Sequence, residues 1–224
     1  MDAIEDARYR AAIYRNLSAF FNDAPSAEEL GALVEVATEL ANADEAVGDA
    51  ERGFYAYLST LSGRDLEELR RSIASEYAEL FIGPRPPLAP YYESIYLGYP
   101  NRLFTDQTMA VQQFYEECGF HVIKSGQVPG DNAAYELELM ALLADREAEL
   151  SEAGDSLGAE KAHEQQMLFL GDHLGAWIGL LANRIDEAPC ADFYSAASRF
   201  AEKFIEEDKD YLANTALRAA SQGD

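Results

Sequence analysis

The sequence predicts an all-α protein, and three observations carry that expectation. Apolar residues recur every three or four positions through most of the chain, the apolar/polar alternation of half-buried strands is scarce, and helix-capping pairs stand before two of the periodic runs. A first helix over residues 3 to 22 places Ile4, Ala11, Tyr14, Leu17 and Phe21 at helical spacing. Ser26 and Glu29 have the spacing of a capping box, in which each side chain satisfies the other's free backbone N–H. They open a helix with Leu30, Leu33, Val34, Ala37 and Leu40 on one face. A shorter helix with Phe54, Tyr57, Leu58 and Leu61 ends near Ser62 and Gly63. Asp65 with Glu68 opens the next, where Leu66, Leu69, Ile73, Tyr77 and Leu80 recur until Gly83 and Pro84 stop it.

From Pro84 to Pro100 the segment PRPPLAPYYESIYLGYP holds five of the eight prolines and four of the thirteen tyrosines. Proline removes a backbone donor and restrains its predecessor, so the segment is expected to be an extended aromatic loop. Helical pattern resumes near Thr105 with Val111, Phe114, Tyr115 and Cys118 and ends at Gly119. A second break, Lys124 to Asn132, leads to Asp131 as N-cap of a helix through about residue 150. Leu137, Leu139, Met140, Leu142 and Leu143 surround that helix, which makes it central. After a polar break from Gly154 to Gly158, Leu170, Leu174, Trp177, Ile178, Leu181 and Ile185 mark one core helix. Phe193, Ala197, Phe200 and Phe204 mark the last. The expected organisation is one helical domain, with N-terminal helices over 1–83, a Pro-rich hinge loop over 84–104 and C-terminal helices over 105–224.

The 224 residues carry 17 Lys and Arg against 41 Asp and Glu, a formal net charge of −24. With 48% hydrophobic and 11% aromatic residues the chain is far from the composition of a disordered acidic tail. The charge excludes nucleic acid as a natural partner, because phosphate binding requires a basic surface, and no basic run exceeds Arg70-Arg71. Cationic peptides are attracted instead. Arginines outnumber lysines, 13 to 4, a balance that with the acidic excess is consistent with adaptation to high salt. Uncharged stretches reach only eleven residues, Gly53 to Gly63 and His173 to Asn183, too short for membrane insertion. The N-terminus lacks the basic and apolar regions of a secretory signal, so a cytoplasmic location is expected.

Cys118 and Cys190 suit neither a disulfide framework nor a zinc site and are expected as buried free thiols. Glu160 and His163 form one E-x-x-H pair, where a di-iron bundle needs two such pairs and two further glutamates, so no metal or other cofactor is expected. Glu136 and Glu138 lie two apart and point to opposite sides of a helix, so they cannot share a substrate. No G-x-S-x-G elbow, Walker A loop or G-x-G-x-x-G fingerprint occurs, and the chain is not expected to be an enzyme.

Glu76 to Tyr96 is the informative stretch, where a helix end, a Gly-Pro stop and a long aromatic loop follow one another. Its aromatic residues either pack the loop on the core or line a surface for an apolar segment with a basic end. The pattern Y-x-x-L-F-x-G-P, here Tyr77, Leu80, Phe81, Gly83 and Pro84, then Pro90, Tyr92, Ser94 and Tyr96, resembles the signature of the TorD/DmsD family of cytoplasmic chaperones for molybdopterin-containing reductases. Asp131-Asn132 after Pro129 resembles a second family element, in which histidine commonly stands where this chain has Asn132. His173-Leu174 with Trp177 resembles a late H-L-x-x-W pattern.

The resemblance implies an all-helical fold jointed at the Pro-rich loop, as a monomer or a dimer exchanging halves. It also implies binding of the twin-arginine signal peptide of a molybdopterin-containing oxidoreductase precursor, which delays export until the cofactor is inserted. The residues it implies as signal-peptide-binding are Leu80, Phe81, Gly83, Pro84, Tyr92, Ser94, Asp131 and Asn132. Leu80, Phe81 and Tyr92 would contact the apolar region of the peptide or position the loop, and Gly83 and Pro84 would set the joint. Asp131 would meet an arginine or serve only as a helix cap. The amide of Asn132 cannot acquire the positive charge that histidine can. Three other readings compete: a nitrate-reductase-type assembly chaperone for a non-exported client, an adaptor for folded partners, and a helical metalloenzyme using Glu160 and His163.

Overall fold

The computed structural model of the protein describes residues 2–42, 48–83, 86–98, 102–122 and 128–222. Among these the regular structure is helical: α1 (Ala3–Asn22), α2 (Ala27–Asn42), α3 (Asp49–Ser59), α4 (Leu66–Tyr77), α5 (Glu93–Leu97), α6 (Asp106–Glu117), α7 (Ala133–Glu152), α8 (Ser156–Asp172), α9 (Leu174–Asp186) and α10 (Phe193–Gln222). The described chain forms two compact units. The first comprises Met1–Ala19, Tyr91–Trp177 and Ile205–Asp224, the second Phe20–Pro90 and Ile178–Phe204.

Capping sets several of these boundaries. Ser26 Oγ accepts the N–H of Glu29 at 3.2 Å while Glu29 Oε2 accepts that of Ser26 at 2.8 Å, the reciprocal box expected before α2. Asp65 Oδ1 accepts the N–H of Glu68 at 2.8 Å and starts α4. Helix α3 ends earlier than its apolar pattern, because the hydroxyls of Ser59 and Thr60 bond back to the carbonyls of Ala56 and Tyr57 and the chain turns through Gly63, at φ 79°. Asp155 Oδ1 takes the N–H of Gly158, so α8 begins inside the expected polar break. The single core helix expected over 170–185 is two, α8 and α9, broken at His173 with φ −126° and ψ −104°.

In the second unit the core is aromatic. Phe54 stacks on Phe200 at 5.3 Å, and Phe193 meets Phe20, Phe54 and Tyr57 edge-on. Helix α4 continues as a π-helix over Ala78–Ile82, closed by the N–H of Gly83 on the carbonyl of Ala78. Gly83 has φ 71°, a conformation that strains any residue with a Cβ, so glycine is required there. Residues 86–90 then fold back. The N–H of Ala89 bonds Leu80 O at 2.9 Å, and Arg184 Nε donates to Leu88 O at 2.7 Å.

In the first unit α7 is the central element, with Leu137, Met140 and Leu143 fully buried, as its apolar surround predicts; Leu142 is the exception at 36% exposure. The buried Arg10 of α1 pairs with Asp208 at 3.0 Å and Glu147 at 3.3 Å and also reaches Gln166, while Tyr14 donates to Asp208 at 2.6 Å. Cys118 is buried, and burial pushes its thiol up to about 11, whereas Cys190 of the second unit is only half-buried, a departure from the expectation for it; both are free.

Candidate functional site

The sequence elements expected to act together divide between the two units. Leu80, Phe81 and Gly83 lie in the second, Tyr92, Ser94, Asp131 and Asn132 in the first, and Pro84 lies outside the described residues. Leu80 and Phe81 are buried, at 0% and 3% exposure, and Phe81 packs against Phe21, Tyr77 and Tyr194. They hold the motif onto its unit. Ile82 and Leu88 beside them are exposed, which the apolar pattern of the sequence does not reveal.

In the first unit the loop motif and the start of α7 are tied by an antiparallel bridge between Tyr92 and Asn132. The N–H of Glu93 bonds Asp131 O at 2.8 Å, and that of Ala133 bonds Tyr91 O at 3.0 Å. The expected extended loop therefore contains a helix, α5, whose second N–H, from Ser94, is taken by Asp131 Oδ2 at 2.8 Å. Asp131 does not cap α7. Asn132 does, accepting the N–H of Tyr135 at 3.0 Å while its amide donates to Pro129 O at 3.3 Å. An N-cap needs extended backbone immediately before the helix, and Asn132, at φ −94° and ψ 152°, provides it. Asp131 and Ser94 are fully buried and Asn132 nearly so, while Tyr92 is half-buried.

Beneath this bridge lies a buried polar cluster. Glu93 Oε1 meets Gln107 of α6 and stands 3.1 Å from His173 Nδ1, and Trp177 Nε1 donates to Glu136 Oε2 at 2.9 Å. Tyr96 stacks on Trp177 at 5.4 Å. Burial first, and then the charge of Glu93, hold the Glu136 carboxyl well above the ordinary range. Glu138, two residues on, faces outward, as the 200° between the pair requires.

An apolar cavity of about 290 Å³ opens in the same unit, between the end of α6 and the outer face of α7. Tyr115, Phe120, Val122, Tyr135, Leu139 and Leu142 line it, with His121 and Glu138 the ionisable members. Sequence reading missed it. The one signal was Leu142, an apolar residue on a helix already apolar on its other sides.

Glu160 and His163 do not form a metal site. Both ring nitrogens of His163 are engaged, Nδ1 with Glu147 Oε1 and Nε2 with Leu212 O, each at 3.0 Å, and no group of three candidate ligands occurs among the described residues. No helix among them is long and apolar enough to cross a membrane.

Comparison with known proteins supplies what geometry alone does not. The sequence profile of the nitrate reductase delta subunit family matches residues 40–183, well over half of the chain. The chain belongs to that family, that of the TorD-like redox enzyme maturation chaperones. It is 29% identical over 214 residues to the chaperone protein TorD of Vibrio cholerae, covering 91% of each chain. It is 25% identical over 207 residues to TorD of Vibrio parahaemolyticus, covering 91% of this chain and 94% of that one. Among solved structures, a redox enzyme maturation protein from Archaeoglobus fulgidus aligns over 88% of this chain and 93% of its own, with a TM-score of 0.47 and 19% identity. The two Vibrio relatives are named as chaperones, not as enzymes.

Proposed function

We propose that this maturation chaperone acts in the cytoplasm on the precursor of a molybdopterin-containing reductase, binding its twin-arginine signal peptide and delaying export until the cofactor is inserted. The observation that carries the reading is the apolar cavity beside α7 in a chain of net charge −24. A twin-arginine signal joins a basic region to an apolar one. An acidic protein with an apolar recess is its complement, steering the arginines by charge and sheltering the apolar region from water. Leu139, Leu142 and Tyr135 would contact the apolar region. The motif residues take two roles in this proposal: Tyr92 and Gly83 keep surface for contact, whereas Leu80, Phe81, Ser94, Asp131 and Asn132 hold the loop in shape. Pro84 belongs to the same motif.

Calorimetric titration with a synthetic twin-arginine signal peptide, beside a version whose apolar core is made polar, tests the proposal. Binding of the native peptide alone is expected; equal binding of both, or of neither, contradicts it. The family match favours one alternative client, a nitrate reductase whose N-terminal segment is not exported. A peptide from that segment, used as a third titrant, separates the two.

A further inference from the structure

Glu93 and Glu136 are both fully buried, and each has one carboxylate oxygen engaged. Glu93 Oε1 receives Gln107 and faces His173 Nδ1; Glu136 Oε2 receives the indole N–H of Trp177. The other two oxygens, Glu93 Oε2 and Glu136 Oε1, are buried without a donor, and Glu93 is near enough to raise the proton affinity of Glu136. Two carboxylates cannot bond each other without a proton, and two full charges at 0% exposure repel strongly. One proton between them satisfies both orphaned oxygens.

We propose that Glu93 and Glu136 share one proton, and that this proton fastens α5, the short helix after the Pro-rich loop, to α7 and releases it when lost. Glu136 carries the proton as donor and Glu93 Oε2 accepts it, while Glu93 Oε1 faces His173 Nδ1. Both are positioning residues that act through the bridge at Tyr92 and Asn132. The titratable groups around the pair come from every element packed on it: Asp131 before α7, whose Oδ1 is also without a donor; Tyr115 of α6, whose phenol burial pushes well up; and His173 between α8 and α9. Trp177 and Gln107 complete the shell as neutral donors. Asp131 adds negative charge, so the pair holds its proton more firmly than two isolated carboxyls would.

The sign of the pH dependence follows. Glu136 binds its proton more tightly when the latch is closed than in the open chain, so closure is fully favoured below the ordinary carboxylate range and weakens as pH rises through the closed-state value. One proton is linked to opening, so protection of the α5 amides falls about tenfold per pH unit across that window. The shared proton does not rest on the signal-peptide reading.

Infrared spectroscopy of the full chain at neutral pH tests the proton directly. A protonated-carboxyl C=O stretch that shifts in D2O is expected in the wild type and is lost in Glu136→Gln, whose amide donates to Glu93 permanently. Glu93→Gln is the second variant: its amide donates to an ionised Glu136, and the band is lost there too. Hydrogen exchange of the Glu93 to Ile95 amides then reads the latch, with protection falling with pH in the wild type and flat in Glu136→Gln. Absence of the band in the wild type overturns the proposal, as does its persistence in both variants, and pH-independent exchange overturns the latch. If the band and the exchange behave as stated while no signal peptide binds at any pH, the signal-peptide reading fails and the latch stands.

Discussion

Glu76 holds the start of α10: its Oε1 accepts the backbone N–H of Tyr194 at 2.7 Å and of Asp192 at 2.9 Å, and its Oε2 accepts that of Phe193 at 3.2 Å. A residue one position before the signature tyrosine of α4 thus caps a helix more than a hundred residues away, and the carboxylate suits the positive end of that helix. Glu76→Ala leaves two buried N–H groups, of Phe193 and Tyr194, and the part-buried one of Asp192 without their acceptor. The expected loss is about 2 kcal/mol, read from urea denaturation, with Glu76→Gln intermediate.

Arg10 and Asp208 form the buried ion pair that joins α1 to α10 in the first unit. Removing Asp208 leaves a buried guanidinium with the longer contact to Glu147, so Asp208→Ala is expected to cost about 3–5 kcal/mol. The double variant Arg10→Met with Asp208→Ala removes the stranded charge and is expected to recover much of that loss. A double-mutant cycle by chemical denaturation measures the coupling.

His163 gives the fold a pH dependence near neutrality. Burial lowers its affinity for a proton, but the hydrogen bond and charge of Glu147, with the carbonyl of Leu212, outweigh burial and raise it above the ordinary value. The stabilisation is therefore complete below the unfolded-state value of about 6.5 and is lost as pH rises through the folded one. The melting temperature of the wild type is expected to fall across that window, and His163→Gln to remove the slope.

Leu142 lies on the cavity rim at 36% exposure, so a change there touches binding more than folding. Leu142→Glu is expected to weaken signal-peptide binding at least tenfold, about 1.4 kcal/mol, while the denaturation midpoint moves little. Raising the salt concentration is expected to weaken binding by both proteins, since screening acts on the peptide's arginines.

Local chemistry made much of the fold legible. The box at Ser26 and Glu29 and the cap at Asp65 are decided within four residues, and the structure has them as read. What the sequence concealed was non-local. Helix α5 is five residues long, too short for periodicity to register, and its N–H groups are satisfied by Asp131 from the far side of a loop. Asp131 and Asn132 are both good capping residues, and only their partners in the fold decide which one caps: Asn132 takes the N–H of Tyr135, whereas the Asp131 carboxylate is engaged by Ser94. Trp177 and Glu136 were each visible as residues, but their bond was not.

The most direct test of the account is photo-crosslinking of a twin-arginine signal peptide carrying a benzophenone in its apolar region, followed by mass-spectrometric mapping. Adducts are expected on Tyr135, Leu139 or Leu142, and the basic end of the peptide should crosslink elsewhere. Adducts confined to the second unit, or spread without preference over both, would contradict the placement of the apolar region beside α7.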